Sequence, residues 1–340
     1  MSLANVYQQY PFALDRPAST GLSQRPLGGS GLVVSSLGFG CSPLGGVFGR
    51  IDEKEGIRAV RTALDLGITF FDVAPFYGDT RAETVLGRAL AGVPRESYVL
   101  ATKVGRYGEH AFDFSAARTR RSVEESLGRL GVDHVDLLYC HDIEFASMSE
   151  VLDETLPALD ALRRAGACRA IGVTGLPLAT LSAAVERSVR VRIDAVLTYC
   201  HGCLSDSTID GMASSITDRG IGLINASPLA MGLLTHAGPP PWHPAPEALR
   251  ETCARAADHC LMGGADLAAI AMWFAHARPG VSSTISGMAT AADVRRNIAA
   301  ISTAPRSELL HGVMEILAPV LGLGWQSGRV AEAPQPMIAP

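Results

Sequence analysis

The chain has 340 residues, 47% of them hydrophobic and 19% charged, which is enough apolar surface to bury a large core and excludes disorder for the bulk of the chain. A formal net charge of −5, a pI near 6.0 and the lack of any extended Lys or Arg run offer no basic face to nucleic acid. No stretch approaches the ~18 apolar residues of a membrane span, and the start, MSLANVYQQYPFALDRPAST, has neither a cationic n-region nor an unbroken apolar segment, so the expectation is a cytoplasmic protein with neither nucleic acid nor membrane as partner.

In chain order, residues 1–23 read as a flexible tail. The run VVSSLGFG (33–40) reads as a buried strand, and residues 52–66 as a helix opened by Asp52, with Ile57, Val60 and Leu64 on one face and Gly67 as its stop. ITFFDVA (68–74) is the next strand, followed by a helix near 81–90, the strand YVLATKV (98–104), and a helix over 115–130 that begins at Ser115 and stops at Gly131. VDLLYCH (135–141) leads into a helix over 149–165 that Pro157 should kink or delay. The strand CRAIGVTG (168–175), a helix near 177–188, the strand DAVLTYC (194–200), a helix near 208–219 and the strand GIGLINAS (220–227) come next. Residues 265–277 read as a helix, SSTISG (282–287) as a strand and 291–302 as a helix, before a tail over 326–340 that is low in structural signal.

The eight apolar runs are continuous rather than alternating, as in a parallel sheet covered on both faces. Eight strand and helix units at spacings mostly near 30 residues predict a (β/α)8 TIM barrel, one domain over about 24–325. The exception is a gap of about 55 residues between strands seven and eight. It contains AGPPPWHPAPE, too rich in proline for a helix or central strand, and is expected to be a long loop at the active-site end. A dinucleotide-binding open sheet would need G-x-G-x-x-G after the first strand, whereas GFGCSPLGG (38–46) supplies only G-x-G.

Strand ends carry the chemistry of such barrels. Asp72 follows the second strand, Lys103 ends the third and His141 ends the fourth, and strands ~4.8 Å apart place Asp72 and His141 roughly 10 Å from each other with Lys103 between. Tyr77 lies five residues past Asp72 on a loop turned by Pro75 and Gly78. A free phenol is a weak base at neutral pH, so an adjacent Lys103 ammonium is expected to lower its pKa, with Asp72 holding the lysine charged and His141 orienting a reacting oxygen. Taken singly, each residue has a structural alternative: a loop cap, a snorkelling lysine, a His141–Asp142 hydrogen-bonded pair, a packed tyrosine. Together at successive strand ends they describe proton transfer at a carbinol or carbonyl oxygen, which becomes redox chemistry once a hydride carrier is added. Seven scattered cysteines fit reduced thiols, and Cys200-x-x-Cys203 lacks a second ligand pair at zinc spacing, so no metal is expected.

With Asp72, Tyr77, Lys103 and His141 in that order and strand context, the chain resembles the aldo-keto reductase superfamily over about residues 24–302. The resemblance implies an N-terminal β-hairpin near 24–36, Tyr77 as general acid or base tuned by Lys103 and Asp72, and a nicotinamide cofactor extended across the barrel's carboxyl end. The strings SPLGGVFG, CHDIEF, GVTGLPL, YCHGCLSDST and ASPLAMGLLTHAGPPPWHPA resemble the L-galactose dehydrogenase and aldose 1-dehydrogenase branch. That implies NAD-dependent oxidation of the C1 hydroxyl of an aldose such as L-galactose to its lactone. Alternatives near the branch are L-fucose or D-threo-aldose oxidation, pyridoxal dehydrogenation, NADPH-dependent carbonyl reduction, and a non-enzymatic nucleotide-binding regulatory subunit.

The same resemblance assigns cofactor contacts to Ser227, Pro228, Leu229, Gly232 and Leu233, and to Gly287, Met288, Thr290 and Asn297. Where NADP-preferring members place Lys or Arg, this chain has Gly287, Ala289, Thr290 and Asp293, which favours NAD, with Arg295 and Arg296 nearby. Thr174 and Gly175 stand where most members have Ser-Asn for the nicotinamide carboxamide. Leu197 replaces a Gln, and the stacking tyrosine is either Tyr199 or replaced by Cys200. Phe76, His141, Trp242 and His243 are the candidate sugar contacts.

Overall fold

The structure is a computed structural model that describes residues 21–276 and 278–328. The expected tails at 1–23 and 326–340 fall largely outside the described residues. A short antiparallel hairpin, β1 (Gln24–Pro26) and β2 (Val33–Ser35), precedes eight parallel strands: β3 (Leu37–Gly40), β4 (Phe70–Asp72), β5 (Val99–Val104), β6 (Leu137–Cys140), β7 (Ala170–Gly175), β8 (Ala195–Tyr199), β9 (Gly222–Ala226) and β10 (Val281–Gly287). They close in sequence order, β10 pairing with both β9 and β3. The expected TIM barrel is present, and the run 33–40 is divided between the hairpin and the first barrel strand.

The hairpin occupies the end of the barrel where the strands begin. Leu27, Leu32 and Val34 are fully or almost fully buried and pack with Phe70, Val99, Ala101, Leu137 and Ile224 in the barrel interior. A Cβ on Gly222 would lie 2.3 Å from the Leu27 side chain, so glycine at the start of β9 is what lets the plug seat. The opposite end, where the strands finish, stays free for a site.

Helices α1 (Glu53–Asp65), α2 (Arg81–Leu90), α3 (Ala116–Leu130), α4 (Leu156–Arg164), α5 (Leu178–Arg187) and α6 (Asp210–Thr217) follow β3 to β8 in turn. Asp52 caps α1 by accepting from Lys54 N–H, and Ser115 caps α3 by accepting from Arg118 N–H, each satisfying a donor that the first helical turn leaves free. Pro157 delays α4 as expected. It sits in the first turn, and the residues before it, Glu150–Thr155, widen into π-type turns, because proline has no N–H to close the ordinary bond.

Only part of the 55-residue gap is loop. Residues 227–246 are mostly irregular, but α7 (Glu247–Met262) follows, then α8 (Leu267–His276) before β10. The buried face of α7 is Leu249, Thr252, Cys253, Ala256, Ala257 and Cys260, a helical period written mostly in small residues, so its apolar signal is weak in sequence. After β10 come α9 (Ala291–Ser302) and α10 (Ser307–Leu317). Helices α7, α8 and α10 enclose a second apolar cluster around Trp273, Phe274, Val313 and Met314, separate from the main core between barrel and helices. No helix among the described residues is long and apolar enough to cross a membrane.

Candidate active site

Asp72, Lys103 and His141 are buried at the ends of β4, β5 and β6. Asp72 is in register with Ala101, so Lys103, two residues further along β5, shares its side of the sheet. Its Nζ donates to Asp72 Oδ1 at 2.5 Å and to the Val73 carbonyl at 2.9 Å. The second carboxylate oxygen of Asp72 is buried without a partner. Burial alone would strip the Lys103 proton, but Asp72, then Tyr77, reverse that and hold its pKa above the ordinary lysine value, so the ammonium persists.

Tyr77 comes to this pair on a loop whose approach is set by two facing glycines. A Cβ on Gly45 would lie 2.5 Å from the Tyr77 carbonyl, and one on Gly78, which is left-handed at φ 63°, would lie 2.0 Å from the Gly45 carbonyl. The backbones therefore touch where any side chain would force them apart. The Tyr77 ring centroid lies 4.9 Å from Lys103 Nζ and 5.9 Å from the His141 ring, edge to face.

The expected depression of the tyrosine pKa is not what this arrangement gives. Burial pushes the Tyr77 phenol up to about 12, with Lys103 pulling it down and Asp72 and Asp142 pushing it further up. Desolvation of the phenolate outweighs one ammonium whose charge is already shared with a carboxylate. Burial likewise drives His141 down to about 3, against Asp142, so its imidazole is neutral. His141 Nδ1 has no partner, and Nε2 lies 3.6 Å from Asp142 Oδ2.

Around this centre the remaining sequence candidates separate. Phe76 lies 6.1 Å from the His141 ring and is covered by the Arg106 guanidinium at 3.8 Å. Thr174, buried on β7, accepts from the Asp142 N–H at 3.0 Å. Tyr199 ends β8, where burial, then Asp142 and Glu144, push its phenol up, and Leu197, two residues earlier on the same strand, packs in the barrel interior. Trp242 is half exposed and lies 5.6 Å from Phe48. His243 is corrected: it is buried, its Nδ1 accepts from Ala245 N–H and its Nε2 pairs with the Ala230 carbonyl. Both ring nitrogens are used in bracing the loop, and none is free for a sugar.

A cavity of ≈230 Å³ runs beside β10 and α9, lined by residues that include Leu229, Thr235, His236, Gly287, Asp293 and Asn297. The loop that brings Leu229 to its wall has left-handed backbone at Ser227, Ala230, Met231 and Gly232, and the N–H groups of Ser227, Ala230 and Gly232 are spent on carbonyls of Ile285, Ser227 and Leu229. Leu233 and Met288 are instead buried in the second and main cores, so they contribute backbone at most. Thr290 caps α9 by accepting from Asp293 N–H, while the Asp293 carboxylate accepts from Ala289 and Thr290 N–H. Arg296 pairs with the same carboxylate, and Arg295 is exposed. Asn297 donates to Ser286 Oγ at 3.2 Å.

Sequence reasoning passed over Asp142 as a site residue and missed Arg106 and Glu144. Arg106 Nη1 donates to Asp142 Oδ2 at 2.6 Å. Glu144 accepts from Leu176 N–H and Ser327 Oγ, and burial, then Asp142, push its carboxyl up to about 7. The available signal was the dense polar string HDIE directly after a strand end. The seven cysteines are buried free thiols, and no group of three or more His, Cys, Asp or Glu among the described residues is placed to hold a metal ion.

The chain is 45% identical over 315 residues to L-galactose dehydrogenase of Arabidopsis thaliana, covering 91% of this chain and 98% of that protein. It is 33% identical over 238 residues to D-arabinose 1-dehydrogenase of Saccharomyces cerevisiae, covering 66% and 70%. Among solved structures, an aldo-keto reductase from Bacillus halodurans in its holo form superposes with a TM-score of 0.71 at 26% identity, covering 87% of this chain and 96% of that one. The model of the aldo/keto reductase family matches residues 36–311, and with the closed barrel and the four polar groups at its mouth, this chain belongs to the aldo/keto reductase family.

Proposed function

We propose that the protein oxidises the C1 hydroxyl of an aldose of the L-galactose type to the lactone, with NAD as hydride acceptor and Tyr77 as base. The observation that carries the reading is the convergence of Tyr77, a charged Lys103–Asp72 pair and a neutral His141 at one barrel mouth, in a chain 45% identical to L-galactose dehydrogenase. We place the dinucleotide in the cavity beside β10, with the 227–232 loop, which contributes Leu229 to its wall, beside the pyrophosphate, and Gly287 and Asn297 at the adenosine end. When bound there, the nicotinamide supplies the site for the departing hydride.

The chain's own residues do the proton work. His141, with its proton on Nε2, donates a hydrogen bond to the C1 oxygen and directs it toward Tyr77. Tyr77 accepts the hydroxyl proton, and the Lys103 ammonium stabilises the phenolate form that can do so. With the phenol at about 12, only a small fraction is ionised at neutral pH, so oxidation quickens as pH rises.

The preference for NAD rests on Asp293. Its carboxylate takes the Ala289 and Thr290 N–H groups and neutralises Arg296, the donors that would otherwise meet a 2′-phosphate, and it repels such a phosphate besides. Turnover of L-galactose, D-arabinose and pyridoxal, each with NAD or NADP, tests the whole reading. NAD-linked oxidation of an aldose is expected, and Tyr77→Phe should lower it about 10³-fold while leaving fluorescence-detected NAD binding intact. An active Tyr77→Phe variant, or cofactor binding without turnover of any of the three, would refute it.

A further inference from the structure

Asp142 follows His141 directly and is buried, with a left-handed backbone at φ 50°. Its N–H is anchored on Thr174 Oγ1, and Arg106, stacked on Phe76, donates to its Oδ2. A buried ion pair adds little net stability, so this one is not explained by stability alone, and the left-handed backbone is one that Asp and Asn tolerate better than other side chains.

The spacing says what the pair can read. His141 Nε2 and Asp142 Oδ2 are 3.6 Å apart, too far for a direct hydrogen bond and close enough to engage two neighbouring oxygens at once. With Nδ1 unpartnered and Nε2 facing the carboxylate, the neutral ring carries its proton on Nε2. A donor beside a pure acceptor matches adjacent hydroxyls of a cyclic polyol, the first accepting and the second donating. The Asp142 carboxylate has capacity left, since Arg106 takes one position on Oδ2 and Thr174 only approaches Oδ1 at 3.4 Å of the four that a carboxylate offers.

Resting on the aldose reading above, we propose that Asp142 selects substrates bearing a hydroxyl at C2, accepting a hydrogen bond from it while the C1 oxygen sits on His141, and that Arg106 is the positioning residue that holds the carboxylate there. Phe76, clamped under Arg106, then serves as the wall on which the pair is built.

The test compares kcat/KM for whichever of L-galactose and D-arabinose turns over faster with that for its 2-deoxy analogue, in the wild type, Asp142→Asn, Asp142→Ala, Arg106→Lys and Arg106→Gln. Cofactor binding reports that each variant is folded. The wild type should prefer the parent sugar about 100-fold, because a site built to bond a hydroxyl rejects the analogue that lacks it. Asp142→Asn, which tolerates the left-handed backbone, should cut that preference about tenfold, and Asp142→Ala should abolish it. Arg106→Gln should reproduce part of the loss and Arg106→Lys restore it.

Equal losses on both sugars would place Asp142 in support of His141 alone and overturn the proposal, as would an unmoved preference. Should the Asp142 variants fail to bind cofactor, the Arg106 pair decides: unchanged preference in Arg106→Gln overturns it. A wild type inactive on both parent sugars would overturn the aldose reading and this proposal together, whereas an active wild type with preferences insensitive to these substitutions would overturn this proposal only.

Discussion

Replacing Lys103 by methionine removes the ammonium that opposes the burial of the Tyr77 phenolate. Nζ lies 4.9 Å from the Tyr77 ring centroid, and at an effective dielectric near 20 two unit charges at that distance attract by about 3 kcal/mol. Asp72, 2.5 Å from the same nitrogen, repels the phenolate and returns part of this, leaving a net stabilisation of roughly 1.4–2.7 kcal/mol, or about 10- to 100-fold in the ionised fraction. The assay is the initial rate of aldose oxidation, followed by the absorbance of the reduced cofactor from about pH 6 to pH 10, below the raised phenol. The wild type should climb about tenfold per pH unit, since its phenol sits near 12 and protonated tyrosine cannot accept the proton. Lys103→Met should climb in parallel, about 10- to 100-fold lower. A variant with wild-type rates at pH ~8, or a wild-type profile flat across the range, would refute the electrostatic argument.

Three further outcomes are expected. Glu144, whose carboxyl is raised to about 7, holds protons more tightly folded than unfolded, so it costs stability as pH climbs from its unfolded value through 7. Glu144→Gln should therefore stabilise by up to roughly 3 kcal/mol at pH ~8 and not at pH ~4, and melts with no pH-dependent gain would contradict this. Gly45→Ala must push the Tyr77 carbonyl away from a Cβ that would lie 2.5 Å from it; a displacement of this kind should lower kcat by about 10- to 100-fold with little change in NAD affinity, and unaltered kcat would show that the loop yields elsewhere. Asp293→Asn keeps an acceptor for the Ala289 and Thr290 N–H groups but frees Arg296, so kcat/KM with NADP should rise about tenfold, and an unchanged NAD-to-NADP ratio would remove Asp293 from cofactor choice.

Continuous apolar runs ending in Asp72, Lys103 and His141 made the barrel and most of its mouth legible in the sequence, because a strand buried on both faces has few positions at which a charge is tolerable. Helix starts at Asp52 and Ser115 and the disturbance at Pro157 were legible for the same kind of local reason: each is decided by one residue's hydrogen-bonding capacity. Helix α7 was not, since its buried face of alanines, cysteines and threonine becomes apolar surface only when α8 and α10 pack on it.

What tertiary structure decided is chiefly electrostatic. Residue type and order determined that a phenol, an ammonium, a carboxylate and an imidazole meet at one barrel end, but the depth of burial set the direction of their pKa values, raising Tyr77 where a bare tyrosine and lysine pair predicts lowering. The same burial turned His243 into a loop brace by using both its nitrogens and set Asp142 beside His141 with Arg106 closing over it. Desolvation and hydrogen-bond satisfaction depend on every neighbour in three dimensions, and no spacing along the chain encodes them.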